Sequence, residues 1–229
     1  MVDNAYFQCR PPEKSANTHK VRPPMLEYIR RLILVVLTER TTEAVFDSLR
    51  RLNWSDPTTE QYCVRVLSRP WALKFSGIHN AASVLSGIMS RHDGVAISVV
   101  DNIIESIKRG LELNDYRRNQ RRVAVMRYLG ELYNYSVIES DIVFDMLYLL
   151  LSFGHPGGRA VRGKAAPLDL PDDFFRLRLI TTLLDTCGEY FDVGRRRVAL
   201  NRFFDFFAVH LLYGLLVNRA LMSDFSGTF

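Results

Sequence analysis

The sequence predicts an all-α protein, an α-solenoid of HEAT-like antiparallel helix pairs with about ten helices, on three observations. Apolar residues recur at three- and four-residue steps through most of the 229-residue chain and almost never alternate in twos. Capping residues and prolines divide that pattern into segments of helix length. The segments fall into neighbouring pairs spaced by roughly 35–50 residues, the size of a HEAT repeat.

Residues 1–24 hold Pro11, Pro12, Pro23 and Pro24 among Arg10, Lys14, Lys20 and Arg22, with no sustained period, and read as a basic arm. Residues 25–229 read as one helical-repeat domain. MLEYIRRLILVVL is its first helix, and Thr41 and Thr42 ahead of Glu43 are expected to cap the second. Pro57, after Ser55 or Asp56 as cap, opens a third helix that Pro70 ends, and a fourth is expected to start at Trp71. Gly94 to Val137 then forms two helices hinged at Asn114 and Asp115. The first carries Val99, Val100, Ile103, Ile104, Ile107 and Leu111 on one wedge, with Asp101, Glu105 and Glu112 on a narrow stripe nearly opposite. The second opens with Arg117, Arg118, Arg121 and Arg122 and continues with Val125, Met126, Leu129, Leu132 and Tyr133 as a buried seam. IESDIVFDMLYLLLSF and DDFFRLRLITTLLDTCGEYF form the next pair across a Gly- and Pro-rich loop at 152–173, and a last helix or pair follows Gly194.

Composition narrows the function. A net charge of +5 from 30 basic and 25 acidic residues is a mixed surface, so local patches decide what is attracted. Cys9, Cys63 and Cys187 suit neither a disulfide framework nor zinc spacing, which fits a reducing compartment; a cytoplasmic or perinuclear setting is the expectation. Phe203 to Val217 is the most apolar run, but Asp205 and His210 interrupt it and it is shorter than a membrane span, so it reads as a core helix. His19, His79, His92, His155 and His210 are scattered, and no pairing of nucleophile with base, metal-ligand cluster or cofactor motif stands out. Gly158, Gly163 and Lys164 imitate a phosphate-binding loop. Ala165 stands where a magnesium-binding hydroxyl belongs, and Pro167 and Pro171 deny the loop its helix, so a plain loop is expected.

Two charged patches remain. Asp101, Glu105 and Glu112 span about 16 Å within an arc of about 40° and could grip a basic partner, although Lys108 in the same stripe offers them ordinary intrahelical pairing. Arg117, Arg118, Arg121 and Arg122, with Tyr116 and Tyr128 beside them, are candidate RNA contacts. Arg195, Arg196 and Arg197 form a second basic cluster, read as solvated or locally paired.

The segments RPPMLEYIRRL, TTEAVFDSLRRLNW, GIHNAASVLSGI, VVDNIIESIKRGLELN, NQRRVAVMRYLGELYNY and FRLRLITTLLDTCGEYFDVG resemble a known family over about Arg22 to Phe207. It is the last of three middle domains, of the initiation factor four-gamma type, in the second Upf proteins, the regulators of nonsense transcripts. The resemblance implies a non-catalytic helical scaffold in nonsense-mediated messenger RNA decay that docks the RNA-recognition-motif domain of the third Upf protein, with RNA in the assembled complex as a further expectation. It also implies that Asp101, Glu105 and Glu112, which match the acidic positions of the family pattern, meet basic residues of that partner. The family's two earlier repeat domains and its acidic, helicase-binding tail do not occur in this sequence, and from about Val209 the chain departs from the family's charged terminal helices. Direct RNA binding through residues 117–122 remains the alternative reading.

Overall fold

A computed structural model describes residues 22–158 and 173–226, with residues 213–226 described by their helical backbone alone. Among the described residues there are nine α-helices and no strand. In chain order they are α1 (Pro24–Arg31), α2 (Thr42–Arg50), α3 (Pro57–Leu67), α4 (Ile78–Met89), α5 (Asp93–Leu113), α6 (Asn119–Asn134), α7 (Ser140–Ser152), α8 (Phe175–Cys187) and α9 (Gly194–Ser226). The basic arm to residue 21 and most of the 152–173 loop, including Gly163, Lys164 and Ala165, lie outside the described residues.

Up to α6, each helix packs against its second neighbour along the chain, which sorts these helices into two layers. α1 meets α3 and α3 meets α5 in one layer, while α2, α4, α6 and α8 follow one another in the other. α7 and α9 extend the stack beyond α8. Such stepwise stacking is how solenoid repeats bury an apolar face that no single helix pair could cover. One continuous apolar core results, running from Ile29 and Ile33 through Leu49, Leu85, Ile103, Tyr128 and Leu147 to Phe191 and Phe203.

Local chemistry explains the helix limits. Asp56 caps α3 by accepting hydrogen bonds from the Thr58 and Thr59 amides at 3.1 and 3.2 Å and the Thr59 hydroxyl at 2.7 Å, and these bonds hold its carboxyl below the usual carboxylate range. Two sequence expectations fail nearby. Thr41 does not cap α2; its hydroxyl turns back to the Val36 carbonyl and the Thr38 side chain, closing the turn after the π-helical segment Leu32–Val36. The fourth helix starts at Ile78 rather than Trp71, because the extended backbone at Leu73 and Lys74 confines WALKFSG to two 3₁₀ turns, Pro70–Ala72 and Phe75–Gly77.

α6 is the axle of the stack. Sequence periodicity suggested a single seam, yet Val123 to Met126 and Tyr128 to Leu132 are all buried because α4, α5, α7 and α8 enclose the helix. Gly130 allows α8 its close approach: a Cβ there would lie 2.8 Å from both Cβ and Cγ2 of Thr186. Asn134 donates to the Thr186 carbonyl at 2.9 Å, and the Tyr133 and Phe191 rings meet at 4.8 Å. The segments GELYNY and DTCGEYFD therefore pack on each other. α9 is one long helix rather than a pair, and Phe203 is fully buried with its ring edge-on to Tyr148 of α7 at 5.5 Å. Among the described residues no helix is long and apolar enough to cross a membrane.

Candidate partner-docking surface

α5 begins one residue before Gly94 and runs 21 residues to Leu113, where Asn114 takes the left-handed conformation (φ 39°). Its apolar wedge faces the core, with Val99, Ile103, Ile107 and Leu111 buried and Ile104 packed at the margin. The opposite stripe points outward. Asp101, Glu105, Lys108 and Glu112 are all exposed, and none takes part in a hydrogen bond or ion pair among the described residues. Lys108 leaves both of its glutamates unpaired, so the intrahelical pairing that sequence spacing offered is not formed. Three uncompensated carboxylates along one helix face make a negative surface matched to a cationic partner.

The sequence reading missed Ile97. One turn before Asp101 on the same face, it is 59% exposed and gives the acidic stripe an apolar contact point. Its departure from the wedge formed by Val99, Val100 and Ile103 was the available signal.

The basic cluster does not behave as one patch. Asp115 restrains the start of the hinge, accepting from the Arg117 amide at 3.0 Å and pairing with Arg118 at 3.3 Å. This places Arg117 and Arg118 in a 3₁₀ turn, Tyr116–Arg118, ahead of α6, where the carboxylate offsets the unfavourable meeting of cations with a helix N-terminus. Both side chains stay exposed, as does Arg121, whose guanidinium lies 3.5 Å from the Trp71 ring. Arg122 departs from expectation. It is buried, donates to Asn114 Oδ1 at 2.9 Å and Asn119 Oδ1 at 3.3 Å, and lies over the Phe175 ring at 4.5 Å. Burial lowers its pKa, with Asp173 pulling the other way. Asn114 in turn donates to Asp173 at 2.7 Å, so Arg122 locks the α5–α6 hinge to the start of α8 and cannot reach an RNA.

Among the described residues no group of three or more His, Cys, Asp or Glu could hold a metal ion. Cys63 and Cys187 are buried, and that burial, aided by the charges of Glu60 and Glu131 respectively, pushes both thiols up to about 12.

Residues 27–213 match the family model of the MIF4G domain. This chain belongs to the MIF4G domain family. Relatives include the regulator of nonsense transcripts UPF2 of Arabidopsis thaliana, 42% identical over 93% of this chain and 17% of the relative. The human regulator of nonsense transcripts 2 is 40% identical over 90% of this chain and 16% of its own length, and the nonsense-mediated mRNA decay protein 2 of Saccharomyces cerevisiae is 31% identical over 80% and 17%. The chain thus spans about a sixth of these relatives, and its MIF4G domain accounts for most of the matched region.

Proposed function

We propose that this MIF4G domain is a non-catalytic scaffold of nonsense-mediated messenger RNA decay, and that its acidic stripe docks the RNA-recognition-motif domain of the third Upf protein. The observation that carries the reading is the set of exposed carboxylates of Asp101, Glu105 and Glu112 on one face of α5, left without ion partners. Likeness to three regulators or decay proteins supports the pathway. The partner follows from the match between this stripe and the acidic pattern of the family.

A rigid helix presents these side chains without a folding cost on this side of the interface. Their summed charge would steer a basic partner into place, and Ile97 would supply apolar contact within the ridge. Co-elution of the purified chain with the partner domain in size-exclusion chromatography tests the reading. Parent protein should co-elute, and the combined variant Asp101→Lys, Glu105→Arg, Glu112→Arg should not while keeping its helicity. Co-elution that survives all three reversals would move the docking site elsewhere on the solenoid.

A further inference from the structure

We propose that the pocket at the α5–α6 hinge binds an acidic segment of a protein partner and takes one leucine-sized side chain of that segment as its anchor. The pocket has a volume of about 50 Å³, and its floor is made by Ile107 of α5, Val125 and Met126 of α6 and Leu179 of α8, all buried. Leu113, the last residue of α5, belongs to the wall and is 56% exposed. Arg109, Arg118 and Arg121 also line the pocket and are exposed, so they form its rim. Three helices and the hinge thus combine an apolar floor with a cationic mouth.

The rim sets the sign of the ligand. Arg109, Arg118, Arg121 and the buried Arg122 line the pocket against one carboxylate, Asp115, which pairs with Arg118 at 3.3 Å. Among the described residues no carboxylate pairs with Arg109 or Arg121. Like charges crowd there: the pKa of Arg121 is lowered first by burial and then by Arg118, Arg69 and Arg109. Carboxylates entering at the mouth relieve that repulsion, and a guanidinium fork can hold each of them in a bidentate pair.

The floor decides which acidic ligand fits. A phosphate chain would meet the rim and leave the apolar floor uncovered, and a nucleobase is too large and too polar for the space. A branched aliphatic side chain matches it in size and gains by leaving water. Arg122 holds the hinge through Asn114 and Asn119 at 2.9 and 3.3 Å, so the pocket is formed before any ligand arrives. On α5 it uses Ser106, Gly110 and Leu113, which lie about 120–180° round the helix from Asp101. One helix would then serve two partners of opposite charge, a basic domain on its stripe and an acidic segment on its other side.

The test uses the whole chain without the basic partner, so its outcome is independent of the docking reading. A fluorescein-labelled peptide with one central leucine and a run of glutamates on each side should bind in fluorescence anisotropy at low salt. The same peptide with serine in place of the leucine should bind about tenfold more weakly. Leu113→Glu should weaken the leucine peptide by about tenfold or more and remove its advantage over the serine peptide. Val198→Glu, the same change at an exposed position of α9, should alter binding by less than about twofold. Circular dichroism checks that each variant is folded. Absence of peptide binding, equal affinity for the two peptides, or equal effects of Leu113→Glu and Val198→Glu would overturn the proposal. So would two other occupants: a second copy, seen as self-association in light scattering that Leu113→Glu abolishes without any peptide binding, or nucleic acid, seen as oligouridylate capture that is lost in Leu113→Glu while the peptides do not bind.

Discussion

Replacing Gly130 by alanine sets two effects against each other. In the middle of a helix, alanine is favoured over glycine by about 0.8–1 kcal/mol. Here the added methyl would sit 2.8 Å from both Cβ and Cγ2 of Thr186 and 3.4 Å from Leu183 Cδ1. Thr186 Cβ is fixed to the α8 backbone, so relief requires the helices to part, and overpacking of this kind costs about 1–3 kcal/mol. Net destabilisation of about 1–2 kcal/mol follows from taking the upper part of that range. A shift of that size lowers Tm by about 2–8 °C in a chain of this length. Gly87→Ala is the matched control: its methyl would approach the Phe46 ring at 2.6 Å, but a partly exposed aromatic tip can swing aside, so the loss should be smaller. Urea unfolding followed by circular dichroism measures both variants. Adding Thr186→Gly to Gly130→Ala should show favourable coupling of at least about 0.5 kcal/mol, because the substitution clears the space the methyl needs. A Gly130→Ala protein more stable than the parent, or additive effects in the double variant, would refute a tight α6–α8 contact.

Arg176 is buried in α8 and donates to the Leu150 and Phe153 carbonyls at 3.3 and 2.7 Å, satisfying the C-terminal end of α7. Arg176→Met should therefore cost about 1.5–3 kcal/mol in urea unfolding. Asp56 is stabilised as a carboxylate in the folded protein, so its contribution is present above the ordinary aspartate pKa and fades as pH falls through the depressed folded value. Asp56→Ala should melt below the parent at neutral pH, and the gap should close in acid. Cys63 and Cys187, with thiols pushed up to about 12, should resist iodoacetamide at neutral pH until the chain is unfolded, as peptide mapping would show.

The helical class and the faces of α5 were legible because its apolar positions follow one period over 21 residues, long enough to overrule local noise. Positions decided by tertiary contact were not. Arg122 looks identical to Arg121 in sequence, and only the left-handed turn at Asn114 and the arrival of Phe175 turn it inward. Trp71 carries no sign that its ring will lie beneath Arg121. The glycine of GELYNY likewise becomes explicable once Thr186 is seen against it. For the acidic stripe, spacing alone favours intrahelical pairing, since Glu105 and Glu112 stand three and four residues from Lys108, and only the family resemblance points to a partner instead. The structure leaves them apart.

Calorimetric titration of the third Upf protein's RNA-recognition-motif domain into Glu112→Arg, beside the parent, tests the docking account most directly. An exposed ion pair would be worth only about 0.2–1 kcal/mol, whereas breaking a desolvated interfacial pair from one side costs about 2–5 kcal/mol. The account predicts a loss in the larger range with helicity unchanged, because Glu112 lies opposite the buried wedge of α5, and partial recovery when a basic residue of the partner is reversed to glutamate. Affinity equal to the parent's at moderate salt would contradict it.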